Sequence, residues 1–360
     1  MKVCHITTVH PQNDNRIFYK ECISLKKEGY DVTLLVAGGL DHIIDGVKII
    51  SLKKEKNRIK GFFKTSIYNG FIAALKINAD VYHFHDPELL FLGLMLKFKG
   101  KIVIYDIHEN NSASILSKPY LKSQFLKESI SRLFNFFEKN IIHFFDAIVT
   151  ARPDITEKFK HLKIITLRNF PILELNKSDL KINSPDKKTV IYVGGMSKIR
   201  GTEILIDAFN AMPEYNLWLL GPIKENNIKN KIENSKENIK YHGIVEPFEV
   251  LSYIQKADIG IVTFLAVPNH IKTLATKPFE YMACGKPMIM SNFKYWEDTF
   301  RESSLYVDPL SKNEIINATQ KLMIDYKLNN KMSKLNIRLS NEKYNWESES
   351  KKLINLYQNL

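Results

Sequence analysis

Cysteine is scarce in this 360-residue chain: Cys4, Cys22 and Cys284 are far apart and odd in number. That excludes a disulfide-stapled scaffold and a thiolate zinc site, and it fits a reducing compartment. Long apolar runs are missing as well. The longest spans residues 89–96, well short of the roughly 20 residues a spanning helix needs. The apolar stretch at the N-terminus is too short for a secretory signal and reads as a buried first strand. A soluble, cytoplasmic chain is therefore expected. The dinucleotide fingerprint G-x-G-x-x-G with an acidic residue about 20 positions on is absent, which argues against a nicotinamide or flavin oxidoreductase. So is the Walker pattern G-x-x-x-x-G-K-[ST].

What is present is globular and basic. Hydrophobic residues make up 44% and charged residues 25%, the ordinary balance of a folded chain rather than a disordered one. The net charge is +13; residues 1–170 carry +9 of it and residues 171–360 carry +4. Part of the excess is Lys53, Lys54, Lys56, Arg58, Lys60 and Lys64 against Glu55. Such a patch attracts phosphates of nucleic acid, anionic lipid or a phosphorylated ligand, or it is simply a solvated lysine-rich face. A nucleic-acid binder would interleave aromatics with the charges. Only Phe62 and Phe63 do so, and no known module pattern appears, so no nucleic-acid partner is expected.

Short apolar runs alternate with longer amphipathic stretches. Residues 3–9, 32–36, 81–84, 102–107 and 147–150 read as buried strands; 17–28, 61–78, 88–97 and 120–145 read as helices. In the last of these, Leu126, Ile130, Leu133, Phe137, Ile141 and Phe144 recur at helical spacing. Residues 174–188 are polar and without period, the composition of a linker. The alternation then restarts from residue 189. Strand–helix repetition predicts parallel sheets covered on both faces, with ligands at the carboxyl ends of the strands. Residues 312–340 read as helical and polar, and Trp346, Leu353, Ile354, Tyr357 and Leu360 mark the apolar face of a final helix.

Two motifs carry chemistry. Val193-Gly194-Gly195-Met196-Ser197-Lys198-Ile199-Arg200-Gly201 lies between a strand and a helix. Glycines let backbone N–H groups approach a phosphate, and Lys198 and Arg200 add charge. The same pattern also serves as a plain turn. The second is Thr276-Lys277-Pro278-Phe279-Glu280-Tyr281-Met282-Ala283-Cys284-Gly285-Lys286-Pro287. Pro278 and Glu280 suit the first turn of a helix, where a carboxylate complements the dipole. Alternatively, Glu280 accepts two sugar hydroxyls. Asp86, Glu88, His85, His108 and Glu109 fall at predicted strand ends or helix starts, positions that structural and catalytic residues share.

These residues resemble family four of the retaining nucleotide-sugar glycosyltransferases, also called glycosyl transferases group 1. The run 277–289, the glycine turn and Tyr344-Asn345-Trp346-Glu347 match its C-terminal half. The runs 10–18, 85–89 and 105–109 resemble a branch that makes bacterial surface polysaccharides. The resemblance covers nearly the whole chain. It implies an α/β fold of GT-B architecture: two Rossmann-like domains facing across a cleft, the final helix crossing back to the N-terminal domain. Residues 1–172 with 343–360 would form the acceptor domain, 173–188 the linker and 189–342 the donor domain.

By position, the resemblance implies that Glu280 binds ribose hydroxyls and that Arg200 and Lys277 bind the diphosphate. Ile244 and Val245 would hold the base through backbone contacts, and His108 would reach the donor sugar or leaving group. Gly194, Gly195, Lys198, Gly221, Arg16, Pro278 and Phe279 complete the expected donor set. Asp14, Asn15, His85, Asp86 and Glu109 are acceptor-side candidates. Three departures stand out. Lys272 occupies the place of a glutamate eight residues before Glu280, Gly195 that of an arginine, and Asp14-Asn15-Arg16 that of an N-terminal glycine-rich loop. The expected partners are a nucleoside diphosphate sugar, uridine-linked by family preference, and a glycan or lipid-linked acceptor. Basic segment 53–64 and helix 120–145 would meet the inner face of a membrane. No Asp-x-Asp pair occurs, so neither a metal nor any other cofactor is expected.

Overall fold

The computed structural model describes residues 1–55, 57, 61–116, 123–159, 163–173 and 183–360. These form two compact units, Met1–Asn169 with Ser348–Leu360, and Phe170–Glu347. Most of the expected linker, 174–182, lies outside the described residues, as do Lys56, Arg58 and Lys60 of the basic segment.

Unit 1 is built on eight strands: β1 (Lys2–Thr7), β2 (Asp31–Ala37), β3 (His42–Ile44), β4 (Val47–Leu52), β5 (Val81–Phe84), β6 (Ile102–Ile107), β7 (Ala147–Thr150) and β8 (Ile164–Thr166). Their order is β3-β4-β2-β1-β5-β6-β7-β8, parallel except for the β3–β4 pair. Every residue of β5 and β7 is buried, as expected of strands covered on both faces and written in continuous apolar runs. The chain winds outward from β1 in one direction and from β5 in the other. A crevice therefore opens where their carboxyl ends diverge.

Helices α1 (Leu90–Phe98) and α2 (Gln124–Ile141) cover this sheet, packing Leu92, Leu96 and Ile141 into a core with Tyr82, Phe84, Tyr105 and Phe145. The expected helix 17–28 opens instead as a wider turn, Ile17–Cys22, before an α-helical turn Ile23–Lys27. Glu21 N donates to the Arg16 carbonyl five residues back at 3.0 Å. That extra residue per turn brings Arg16 and Glu21 to one face. Residues Gly61–Asn69 widen in the same way.

Unit 2 has six parallel strands: β9 (Thr189–Val193), β10 (Asn216–Leu220), β11 (Ile239–Gly243), β12 (Ile259–Val262), β13 (Met288–Ser291) and β14 (Ser304–Val307), ordered β11-β10-β9-β12-β13-β14. Here the order reverses at β9 and β12. Helix α3 (Thr202–Asn210) follows β9, and α4 (Lys277–Ala283) precedes β13. The polar stretch 312–340 is two helices, Lys312–Ile324 and Tyr326–Glu342, broken where the Asp325 carboxylate caps Leu328 N at 2.9 Å. Helix α5 (Trp346–Gln358) ends the chain. From Ser348 it belongs to unit 1, where Leu353 and Tyr357 are buried. Among the described residues no helix is long and apolar enough to cross a membrane.

Candidate functional site

In unit 2 the glycine turn leaves β9 at the point of strand reversal. Gly194 N donates to Leu220 O, and Gly221 N to Gly243 O. At Gly221, φ is +125° and a β-carbon would stand 2.4 Å from Gly194 O. At Gly201, φ is +72° and a β-carbon would meet Thr263 O at 1.8 Å. Side chains are thus excluded where the loops after β9, β10 and β12 close on one another. Tyr281 of α4 anchors the assembly from below. Its hydroxyl accepts from Val193 N at 3.1 Å and donates to Ile191 O at 3.2 Å, and its ring fills the space that a side chain at Gly260 would need.

Cations gather over this turn. Arg200 Nη1 donates to Gly195 O at 3.4 Å, and its guanidinium lies 5.3 Å from the Phe264 ring centroid. Lys224, not foreseen from the sequence, reaches the same place. Lys224 N donates to Met196 O at 2.9 Å, and its Cε lies 3.4 Å from where a β-carbon on Gly195 would be. The position where the resemblance expects an arginine is thus filled in space by Arg200 and Lys224, an arrangement that rests on loop register. Lys198 is exposed.

Lys277 and Glu280 come together, with Nζ donating to both carboxylate oxygens at 2.7 Å. Pro278 and Phe279 are placed differently from expectation. Both are buried, and Phe279 stacks among Phe170, Phe300 and Tyr344 at centroid distances of 4.7–5.1 Å. Its N–H is bound to Thr276 O. Ile244 stands exposed and Val245 packs on the core, both just after β11.

In unit 1 the crevice between β1 and β5 is filled by side chains. Asp86 accepts from Thr7 Oγ1 and from the backbone N–H groups of Thr8 and Val9 at 2.6–3.2 Å. It ties the β1 loop down and is itself buried. His85 is fully buried, stacked against His5 and His83. Against the expectation of an open acceptor side, both side chains are buried, His85 among the histidine rings and Asp86 under the β1 loop.

Arg16 also departs from its expected donor role. Its guanidinium forks onto Asp106, with Nε to Oδ2 and Nη2 to Oδ1 both at 3.0 Å, while Nη1 donates to Leu167 O. Asp14 accepts from Arg16 N and Ile17 N at 2.8 and 2.9 Å, starting the wide turn, and pairs with His10 at 3.3 Å. Asn15 is half-buried beside it. His108, partly exposed, lies between buried His85 and the more exposed His10, with centroids 5.3 and 5.0 Å away. Its Nε2 lies 3.2 Å from Asp106 Oδ2. Glu109 is exposed and accepts from Ser114 Oγ.

Burial shapes the titration of this cluster. It pushes His5 and His83 well below the usual histidine range and His85 down to about 4. Burial also raises the Glu21 carboxyl, with the Asp106 charge adding to it. For Asp106 burial acts the same way but is outweighed by Arg16 and then His108, which hold it well below the ordinary carboxylate range. For Asp14 burial is outweighed by the His10 hydrogen bond and by Ile17 N.

Beside Glu109 a groove of about 810 Å³ opens between Phe62, Phe63, Phe91, Leu133, Phe134 and Phe137, with Glu88 and Asn111 at its polar end. Phe63 and Leu133 are more than three-fifths exposed, an unusual placement for large apolar side chains.

Residues 176–338 match the model of the family described as glycosyl transferases group 1. Over 203 residues, 53% of this chain, the sequence is 25% identical to TuaH of Bacillus subtilis (strain 168), named as a teichuronic acid biosynthesis glycosyltransferase. The chain spans about half the length of that curated relative. Among solved structures, sucrose-phosphate synthase from Thermosynechococcus elongatus superposes with a TM-score of 0.76 at 17% identity, covering 99% of this chain and 98% of that one. Anabaena HepE in complex with UDP superposes at 0.71 and 13%, covering all of both chains. At such identities the likeness is one of fold. The architecture is therefore GT-B, and its C-terminal half carries the model of the glycosyl transferases group 1.

Proposed function

We propose that this chain is a retaining glycosyltransferase. It would move a sugar from a nucleoside diphosphate sugar, uridine-linked, to a lipid-linked glycan acceptor in cell-surface polysaccharide assembly. The observation that carries this reading is the pair Arg200 and Lys224 over the Gly194–Gly195 turn. Transfer builds negative charge on the departing diphosphate, and cations and N–H dipoles oriented beforehand stabilise it without reorganising. Arginine matches phosphate geometry with its fork, and lysine adds a point charge. Glu280 would accept the ribose hydroxyls while Lys277, now held by Glu280, would turn to phosphate. Gly194 and Gly221 would let the ligand approach the backbone, and Ile244 and Val245 would border the base. With cations of the chain in this role, no metal would be needed.

In unit 1, His108, partly exposed beside the buried histidines, would meet the donor sugar or leaving group. The retaining outcome implies attack from the leaving-group face, with the diphosphate assisting deprotonation of the acceptor hydroxyl. The groove beside Glu109 would seat the apolar tail of the acceptor. A basic, aromatic-rimmed face suits peripheral attachment to the inner leaflet. Oligomeric state plays no part in this reading.

A thermal-shift panel with UDP, GDP, ADP and their common sugars, with and without EDTA, tests the donor half. Binding raises the melting temperature by mass action. A UDP shift that survives EDTA supports the reading; no shift with any nucleotide refutes it. Failure to pellet with anionic vesicles at low salt would remove the membrane component.

A further inference from the structure

The buried cluster of unit 1 holds more polar groups than its packing requires. Donor atoms of Glu21, His83, His85 and Asp106 lie within 4.8 Å of one another, a spacing a divalent ion could use. Arg16 already stands on both carboxylates, 3.0 Å from Glu21 Oε1 and forked onto Asp106. The positive charge an ion would bring is therefore in place, and the cluster calls for another explanation.

We propose that Asp106, locked by the Arg16 fork, is the positioning residue that sets the ring orientation and tautomer of His108. The proposal rests on the reading of His108 as the histidine that meets the donor. Asp106 and His108 are two residues apart at the end of β6 and so share a face. The fork occupies Oδ1 and part of Oδ2, and Leu167 O holds the third side of the guanidinium. A carboxylate clamped in this way cannot rotate. Its Oδ2 then faces His108 Nε2 at 3.2 Å and His85 Nδ1 at 3.3 Å.

These two nitrogens also lie 3.2 Å from each other; because the ionised carboxylate beside both only accepts, each directs a hydrogen at Oδ2 rather than offering it a lone pair. His85 is thereby left with a lone pair at Nε2, which faces His5 Nδ1 at 2.9 Å. His108 is left with its lone pair at Nδ1. The interior thus dictates which nitrogen of the partly exposed ring carries the lone pair, the logic by which a buried carboxylate orients a catalytic imidazole elsewhere. A buried ion pair is a weak source of stability. Its lone pairs, directed at two histidines, give this one a different use. Glu21 provides the contrast: it faces the same Arg16, yet neither of its oxygens has a hydrogen-bond partner among the described residues.

The test compares Asp106→Asn with Glu21→Gln, each of which removes one buried acid facing Arg16. Nitrogen NMR of histidine-labelled protein reads the His108 tautomer, assigned with His108→Gln. Turnover of the UDP-sugar chosen by the binding panel reads kcat and KM. Wild type should show His108 protonated at Nε2. Asp106→Asn should mix the tautomers and lower kcat by about a hundredfold or more, with donor KM within about threefold. Glu21→Gln should change neither. If Asp106→Asn does not fold, Arg16→Lys keeps the charge and removes the fork, and should give the same tautomer mixing. An unchanged tautomer in the variants, or an equal effect from Glu21→Gln, would overturn the inference. Unchanged kcat in His108→Gln would instead overturn the reading of His108, a result obtained on a different sample.

Discussion

At the strand ends of unit 1 the charges are neutralised from within: Arg16 faces Asp106 and Glu21, His10 faces Asp14, and three histidines are held neutral. At the strand ends of unit 2, Arg200 and Lys224 stand over an open glycine turn, and neither is ion-paired among the described residues. Both units are built on sheets that are parallel but for the β3–β4 pair, and in both the strand order reverses at this point. The difference lies in what fills the crevice. In unit 1, large side chains from β1, β5 and β6 close it. In unit 2, Gly194 and Gly195 put no side chain there, while Gly201 and Gly221 let the surrounding loops pack closely. An open cationic turn suits an anionic ligand; a closed, internally paired cluster suits the positioning of a ring at its edge, His108.

Removing a charge from the closed cluster should have the largest effect. Arg16→Met leaves Asp106 buried without its partner, a loss of about 3–5 kcal/mol. Urea unfolding followed by circular dichroism should show it, and a midpoint equal to wild type would mean that unit 1 is not internally balanced as described. Next comes Arg200→Ala. Turnover should fall about a hundredfold or more, the range for losing one preorganised donor at a developing anion, while the urea midpoint stays put. Near-normal turnover would strip Arg200 of its role.

Lys224→Gln should act more gently, weakening UDP binding about tenfold, in line with about 1.5 kcal/mol for a charge-assisted contact, and leaving uridine binding alone. Titration calorimetry of both ligands separates the cases; an equal loss for uridine would argue for a disturbed fold.

The smallest effect is that of pH. His5, His83 and His85 have folded-state pKa values below the unfolded value of about 6.5. The unfolded chain therefore takes up more protons as pH falls from there toward 4, and the stability present above 6.5 is lost. Glu21 and His10 shift upward and oppose this, while Asp14 and Asp106, both shifted downward, add to the loss at the acid end. In unit 2 the histidines shifted downward are the half-buried His242 and His270. All three tryptophans lie in unit 2, so their fluorescence reports that unit alone. On acidification from pH 7 to 4.5, the urea midpoint seen by circular dichroism should fall before that seen by fluorescence. Coincident curves at every pH would erase the contrast.

Much of this contrast was legible from residue types. The alternation of buried runs and amphipathic stretches marked both sheets, and the glycine spacing marked the open turn. Strands β3, β4, β8 and β14 carry no clear signal in the sequence: β3, β8 and β14 are only three or four residues long, and in β4 Lys48 and Ser51 break the apolar run. Phe279 was misread because its place in a site-like motif hides a core side chain; Tyr281, two positions on, anchors the turn through a hydroxyl that the pattern does not single out. Arg16 was misread for a related reason. An arginine near a strand end looks available for phosphate until Asp106, 90 positions later, is found beneath it.

By itself the sequence determined the fold class, the two-unit division and the candidate status of Arg200, Lys277, Glu280 and His108, because hydrophobic period and local turn chemistry are properties of neighbouring residues. Only the tertiary structure decided which charges are free and which are paired. Lys224 reaches Gly195 through the register of two loops, and Asp106 meets Arg16 and His108 through the order of strands. Electrostatic pairing depends on distance in space, and that distance is set by how distant segments pack.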